Sequence, residues 1–246
     1  MIKKTINKAL IFDWSGTLSD NFHLACKVAD LMFVELGKES ITPEEIRLNF
    51  TLPYMTFWNH YFPDLTKKKQ DAMYEKYIHQ VGDPELYPHV AETFHFLHEH
   101  GAKICVLSSD PVSKLFPEIE KSGLQDIIEK TVGNVHEKAD MIEQLVNEYD
   151  LEKEHTYYVG DTSGDVKAGK AARVKTIGIT WGFQHRDILA KSHPDFLIDD
   201  IIEIKNLTKD LCQKNTTQPK KHRKSRQQLG STGIQSNLIS SNLPTA

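Results

Sequence analysis

A chain of 246 residues, 39% hydrophobic and 26% charged, has the balance of a soluble globular protein and is long enough to bury a core. The net charge of −4 is unevenly spread: from Leu207 onward seven Lys/Arg face one Asp, so the preceding part is markedly acidic, which argues against that part binding nucleic acid. Cys26, Cys105 and Cys212 are scattered, form no CxxC pair and suggest no disulfide framework, so a reducing, cytoplasmic setting is expected.

The charged N-terminal residues lead into no apolar h-region, and neither a signal peptide nor a membrane span is expected. Residues 9–12 are four apolar residues in a row and read as a buried strand of a parallel sheet. The run stops at Asp13, and Gly16 marks a tight turn. A carboxylate at the end of a buried strand stands where open α/β sheets hold their ligands, with an Asp that only caps the next helix as the lesser alternative.

Asp20 and Asn21 can cap a helix whose apolar face runs Leu24, Val28, Leu31 and Met32 and which Gly37 ends. Thr42, Pro43 and Glu45 have the spacing of a capping box with proline at the first helical position. Tyr54, Phe57, Trp58, Tyr61 and Phe62 follow at helical spacing, either as the core of a small helical unit or, in part, as the lining of a substrate pocket. Residues 19–84 therefore read as a helical insertion without strands of its own.

The strand–helix pattern resumes at Pro88. A helix to about His100, with Val90, Phe94 and Leu97 on one face, leads into a strand over 103–107 that ends in Ser108-Ser109-Asp110. His95 and His98 have ligand-like spacing, but a solvated helical face accounts for them. Helices are predicted around 111–122 and 136–149. A third strand over 155–159 runs into Gly160-Asp161-Thr-Ser-Gly-Asp165, followed by a helix of small residues, and two short strands are predicted over 176–180 and 195–198. This alternation predicts a three-layer doubly wound parallel sheet. The α/β core should comprise residues 1–18 and 85–205, with the α-helical insertion over 19–84. Residues 206–246 read as a basic, disordered tail, with the run over 220–226 a localisation or nucleic-acid patch in the alternative.

Three predicted strands thus end in polar groups, Asp13, Ser108 and Asp161, and a parallel sheet gathers such ends on one edge. Asp13 and Asp161, with Asp165 one helical turn beyond, would repel one another without a hard divalent cation, and Mg²⁺ suits that need. Ser108 can donate to an anionic oxygen. Lys138, where a new helix should start, can supply a second cation, with Lys130 its rival. Together these groups suit phosphoryl transfer through an aspartyl-phosphate on Asp13.

Phe12-Asp13-Trp-Ser-Gly-Thr-Leu18, Ser108, Lys138 and Gly160-Asp161-Thr-Ser-Gly-Asp165 resemble, in order, the four motifs of the haloacid dehalogenase-like hydrolases. The match is nearest to members similar to phosphoglycolate phosphatase and extends over about residues 7–204, with the insertion resembling that group's helical cap. The resemblance implies Asp13 as nucleophile and Mg²⁺ ligand, Ser15 as a metal ligand through its backbone carbonyl, and Asp161 as a ligand whose shell Asp165 completes or supports. It implies that Ser108, Lys138, Ser109 and the backbone amides around Gly16 hold the phosphoryl group of a small phosphorylated metabolite. A monomer or small homo-oligomer that uses no membrane is expected.

One departure bears on the chemistry. Phosphatases of this family usually carry a second Asp two residues after the nucleophile, as general acid and base, and this chain has Ser15 there. General acid–base catalysis contributes roughly 10²–10⁴-fold, so esters with poor leaving groups should suffer most. His23 in the insertion is a candidate replacement, although a surface histidine is the simpler reading. Ser15 keeps two alternatives open: a C–P or C–X bond hydrolase of the same fold, and a weakly active relative that binds phospho-ligands or a partner. Against the first, Asp161 and Asp165 suit a metal that the dehalogenases do not need, and residues 38–70 lack the Met-Gly-Leu-x-Lys-like stretch of phosphonoacetaldehyde hydrolase-like enzymes.

Overall fold

A computed structural model describes residues 9–51, 53–135 and 137–207. Its sheet has six parallel strands: β1 (Ala9–Phe12), β2 (Lys103–Leu107), β3 (Lys130–Val132), β4 (Thr156–Gly160), β5 (Lys175–Ile179) and β6 (Phe196–Ile198). Their order across the sheet is β3-β2-β1-β4-β5-β6. The chain moves outward from β1 to β3 and then returns to the other side of β1. The crevice beside β1 and β4 is therefore the switch point at which open α/β sheets bind ligands.

Alternation along the strands divides the core between the two faces of the sheet. Leu10 and Phe12 pack with Val106, Val159 and Ile177 against α5 (Val90–Glu99) and α6 (Val112–Ser122). Ala9 and Ile11 pack with Cys105, Leu107 and Tyr158 against α7 (Lys138–Glu148) and the end of α8 (Ser163–Ala171). Both faces are covered, which is why the central strands read as uninterrupted apolar runs. The three layers and the doubly wound order match the expectation from sequence.

Between β1 and α5 stand four helices, α1 (Phe22–Glu35), α2 (Pro43–Asn49), α3 (Tyr54–Tyr61) and α4 (Lys67–Ile78), with an apolar cluster of their own. Phe57 and Trp58 lie in that cluster, Trp58 meeting both Phe33 and Phe57, so this part of the aromatic stretch is core. Thr42 opens α2 with the expected capping box, its hydroxyl accepting from the Glu45 amide at 3.2 Å. The chain leaves and re-enters the α/β layers along paired backbone: the Asp20 amide donates to Glu85 at 2.7 Å and the Tyr87 amide to Leu18 at 2.9 Å.

Several local expectations need correction. Strand β3 did not stand out in the sequence; it is three residues long, half-buried, and contains Lys130. Asn21 sits at the N-cap of α1, but its side chain caps nothing there, because it bonds to the turn after β1. Leu31 is exposed rather than part of the buried face of α1. His95 and His98 are exposed on α5. Among the described residues no helix is long and apolar enough to cross a membrane, and Cys26 and Cys105 are buried free thiols. Cys212 and the basic run over 220–226 lie outside the described residues.

Candidate active site

The strand ends gather as parallel pairing demands. Asp13 follows β1 and is anchored by its amide to the Val159 carbonyl at 2.9 Å; Ser108 follows β2, its amide donating to Val132 at 2.9 Å; Asp161 follows β4. Asp165 enters from the first turn of α8, where it forms a capping box with Thr162: its Oδ2 accepts from the Thr162 hydroxyl at 2.6 Å and the Thr162 amide at 3.0 Å. The carboxylates of Asp13, Asp161 and Asp165 are all buried and bring oxygens to within 4.8 Å of one another.

Lys138 opens α7 and sends its ammonium into this cluster, 3.0 Å from Asp13 Oδ1 and 2.7 Å from Asp165 Oδ1. The Tyr158 hydroxyl also donates to Asp165 Oδ1, at 3.2 Å. Lys130, the rival lysine, lies at the start of edge strand β3 and pairs with Glu148.

Glycine permits the close approach. A Cβ on Gly182 would stand 2.3 Å from the Asp161 Cβ. On Gly16, whose φ of +75° already disfavours a side chain, a Cβ would stand 2.6 Å from the Asp161 carboxylate.

The electrostatics follow from three buried carboxyls facing one ammonium. Burial pushes the Asp13 carboxyl up to about 7, against the pull of Lys138 and with the repulsion of Asp165. Burial, then the charges of Asp165 and Asp13, holds Asp161 well above the usual carboxylate range. For Asp165 burial acts upward too, but Lys138 and the Thr162 donors outweigh it and its pKa is lowered. Burial opposes charge on Lys138, yet Asp13 and Asp165 raise its pKa well above the ordinary value. The site holds more anionic capacity than its own cation neutralises. Its donors are hard oxygens, as Mg²⁺ prefers, so the residues present fit a divalent cation.

The remaining predicted residues are placed differently. The Gly16 amide does not face an open phosphate site: it donates to Asn21 Oδ1 at 2.9 Å and lies 3.1 Å from the Ser19 carbonyl. Ser109 is exposed. The Ser108 hydroxyl donates to Asp110 Oδ2 at 3.2 Å. His23 lies at the surface beside Asp20, its Nδ1 3.2 Å from Asp20 Oδ1. Ser15 donates its hydroxyl proton to Asp110 and accepts from the Asn21 amide at 2.7 Å.

Asp110 is therefore a site residue that sequence reasoning passed over, its other oxygen held by Lys114 at 3.1 Å. The signal was available, since Asp110 lies three residues past the end of β2 on the edge that carries Asp13. Phe183 was also missed; its amide donates to Asp161 Oδ2 at 2.6 Å.

The family model described as haloacid dehalogenase-like hydrolase matches residues 10–179. A phosphoglycolate phosphatase of Vibrio parahaemolyticus is 28% identical over 217 residues, covering 80% of this chain and 94% of the relative. The pyrophosphatase PpaX of Listeria monocytogenes is 24% identical over 208 residues, covering 82% and 96%. Among solved structures, a haloacid dehalogenase-like hydrolase from Streptococcus pneumoniae superposes with a TM-score of 0.68 at 22% identity, covering 81% of this chain and 97% of that one.

Proposed function

This chain belongs to the haloacid dehalogenase-like hydrolases, and on that premise we propose a Mg²⁺-dependent phosphatase that hydrolyses a small organic phosphate of the phosphoglycolate type. The observation that carries this reading is the convergence of Asp13, Asp161 and Asp165 to within 4.8 Å, with Lys138 bonded to the first and last.

Asp13 is the nucleophile. Its carboxylate attacks phosphorus, the bond from phosphorus to the ester oxygen breaks, that oxygen takes up a proton from a neighbouring acid or water, and an acyl phosphate forms on Asp13. Water then attacks the phosphorus of that acyl phosphate, releasing inorganic phosphate and restoring the carboxylate. Lys138, 3.0 Å from Asp13, favours the ionised nucleophile and stands ready to donate to the transferring phosphoryl oxygens. Ser108 and Ser109 lie on the same strand end; the Ser108 hydroxyl proton must turn from Asp110 to reach a phosphate oxygen. Asp13, Asp161 and the Ser15 carbonyl would hold Mg²⁺, with Asp165 supporting them. Once bound, the ion supplies the positive charge that lets an anionic carboxylate approach a phosphate.

Ser15 cannot protonate a leaving group as a carboxylic acid does. Asp110 stands against its hydroxyl and brings a carboxyl group from the neighbouring strand end to that place. The four helices of residues 19–84 act as a cap whose side chains select the substrate.

Asp13→Asn tests the reading, using an aryl phosphate with and without Mg²⁺. Loss of the metal-dependent turnover is expected, and undiminished turnover in the variant overturns it.

A further inference from the structure

The segment that follows β5 lies over Asp161. Gly182 lets its backbone approach that side chain, and the Phe183 amide donates to Asp161 Oδ2 at 2.6 Å. The Phe183 ring lies over the Gly16 turn, where an added Cβ would stand 2.5 Å from it, and extends from there toward the four helices. It meets Phe22 edge-on at 5.2 Å and Phe50 at 5.1 Å, and so belongs to the apolar cluster of the capping helices. One residue thus holds a carboxylate of the α/β layers with its backbone and anchors in the cap with its side chain.

Helix α2 clasps the same segment. The guanidinium of Arg47 donates through Nε to the Gly182 carbonyl at 3.0 Å and through Nη2 to the Trp181 carbonyl at 2.9 Å, while stacking 4.2 Å over the Phe22 ring. The His185 amide returns a bond to the Arg47 carbonyl at 3.1 Å. His185 Nε2 lies 3.3 Å from Glu44, and the Gln184 amide donates to the Phe50 carbonyl at 3.4 Å. Only a planar fork stacked on a ring can grip consecutive carbonyls in this way; a lysine offers a point charge on a flexible stem.

We propose that Arg47 is a positioning residue for the metal site: by gripping the carbonyls of Trp181 and Gly182 it fixes the Phe183 amide on Asp161 and couples the seating of the cap to the affinity for a divalent cation. The proposal rests on the reading of Asp161 as a Mg²⁺ ligand. With Oδ2 held by the Phe183 amide, the carboxylate cannot turn freely and its other oxygen is presented in one orientation. Releasing the segment leaves a buried carboxylate that must be ordered when the cation binds, and outer partners of metal ligands contribute about 10–100-fold to affinity. Linkage is reciprocal, so a bound cation should tighten the cap by the same factor.

The test measures Mn²⁺ binding to the full chain by electron paramagnetic resonance of the free ion, for the wild type, Arg47→Ala and Arg47→Lys, with melting in EDTA recorded alongside. Weakening of about tenfold or more in Arg47→Ala, with Arg47→Lys restoring only part of it, is expected. In the wild type Mg²⁺ should slow amide exchange across α2, and in Arg47→Ala it should not. Unchanged Mn²⁺ affinity in a folded Arg47→Ala overturns the coupling even if its melting temperature falls, because Arg47 then serves stability alone. If Arg47→Ala fails to fold, Arg47→Lys decides by the same comparison. A wild type that binds no Mn²⁺ overturns the metal reading of Asp161 itself, and the coupling with it.

Discussion

The Ser15 hydroxyl donates to the carboxylate of Asp110, joining the turn after Asp13 to the end of the neighbouring strand across 95 positions of sequence. The hydroxyl is fixed from the other side by Asn21, so the contact is directional. A carboxyl group is thereby present where the residue at position 15 does not itself provide one.

If Asp110 serves proton transfer, the cost of its loss depends on the leaving group. Asp110→Asn should lower kcat/KM on an alkyl phosphate by about 10²-fold or more, and much less on an aryl phosphate, whose leaving oxygen needs little help. Adding Ser15→Asp to that variant moves the carboxyl group across the contact and should recover part of the alkyl activity. A purely structural Asp110 would lower all substrates equally, which a leaving-group series of kcat/KM values detects.

Lys138 is the cation of the cluster, bonded to Asp13 and Asp165. Its replacement by Met strands buried carboxylates, which costs about 3–5 kcal/mol for a pair broken on one side. That cost should be felt at pH 8 and shrink toward pH 5, as the carboxyls take up protons. Urea unfolding in EDTA at the two pH values measures it.

The raised pKa of Asp13 sets metal and proton in competition for the same carboxylate. The folded state keeps to about 7 a proton that the unfolded chain releases near pH 4, roughly the ordinary Asp value. Between those values the folded state binds more protons than the unfolded one, so metal-free stability falls as pH rises through that window, and the raised pKa of Asp161 acts in the same sense. The lowered pKa of Asp165 acts in the opposite sense, but only below about pH 4, the ordinary value for its side chain. A divalent cation takes the place of the proton. Millimolar Mg²⁺ should therefore raise the melting temperature more at pH 8 than at pH 6, and calorimetry should record proton release on binding at pH 6.

Gly160 ends β4 where Asp165 folds back over it, and an added Cβ would stand 2.4 Å from both Cβ and Cγ of Asp165. The capping box leaves that side chain little freedom to move aside. Gly160→Ala should cost about 1–3 kcal/mol by overpacking and reduce turnover as well. Gly101→Ala is the contrast. It meets nothing within 4 Å and is strained only by a φ of +78°, so it should lower the melting temperature and leave turnover intact.

Much of the architecture was legible because its signals are short in range. The strands β1, β2 and β4 are apolar runs covered on both faces, and Thr42 with Glu45 marks a helix start through bonds only three residues long. Strand β3 escaped because an edge strand of three half-buried residues carries no such run. Asp165 was legible as a site residue, but its capping of α8 through Thr162 was not anticipated, although the two lie three residues apart. Phe183 gave no sign, since its role at Asp161 runs through a backbone amide that any residue except proline carries.

By itself the sequence determined the alternation of strands and helices, and which polar residues end the strands, because periodicity and capping act over a few neighbouring positions. Only the tertiary structure decided that Asp110 meets Ser15, that Lys138 joins Asp13 to Asp165, that the Phe183 amide meets Asp161 and that Arg47 of α2 meets the Gly182 carbonyl. Those contacts bridge distant positions, and they exist because β1 lies between β2 and β4 and brings their ends, with the segments that follow them, onto one edge.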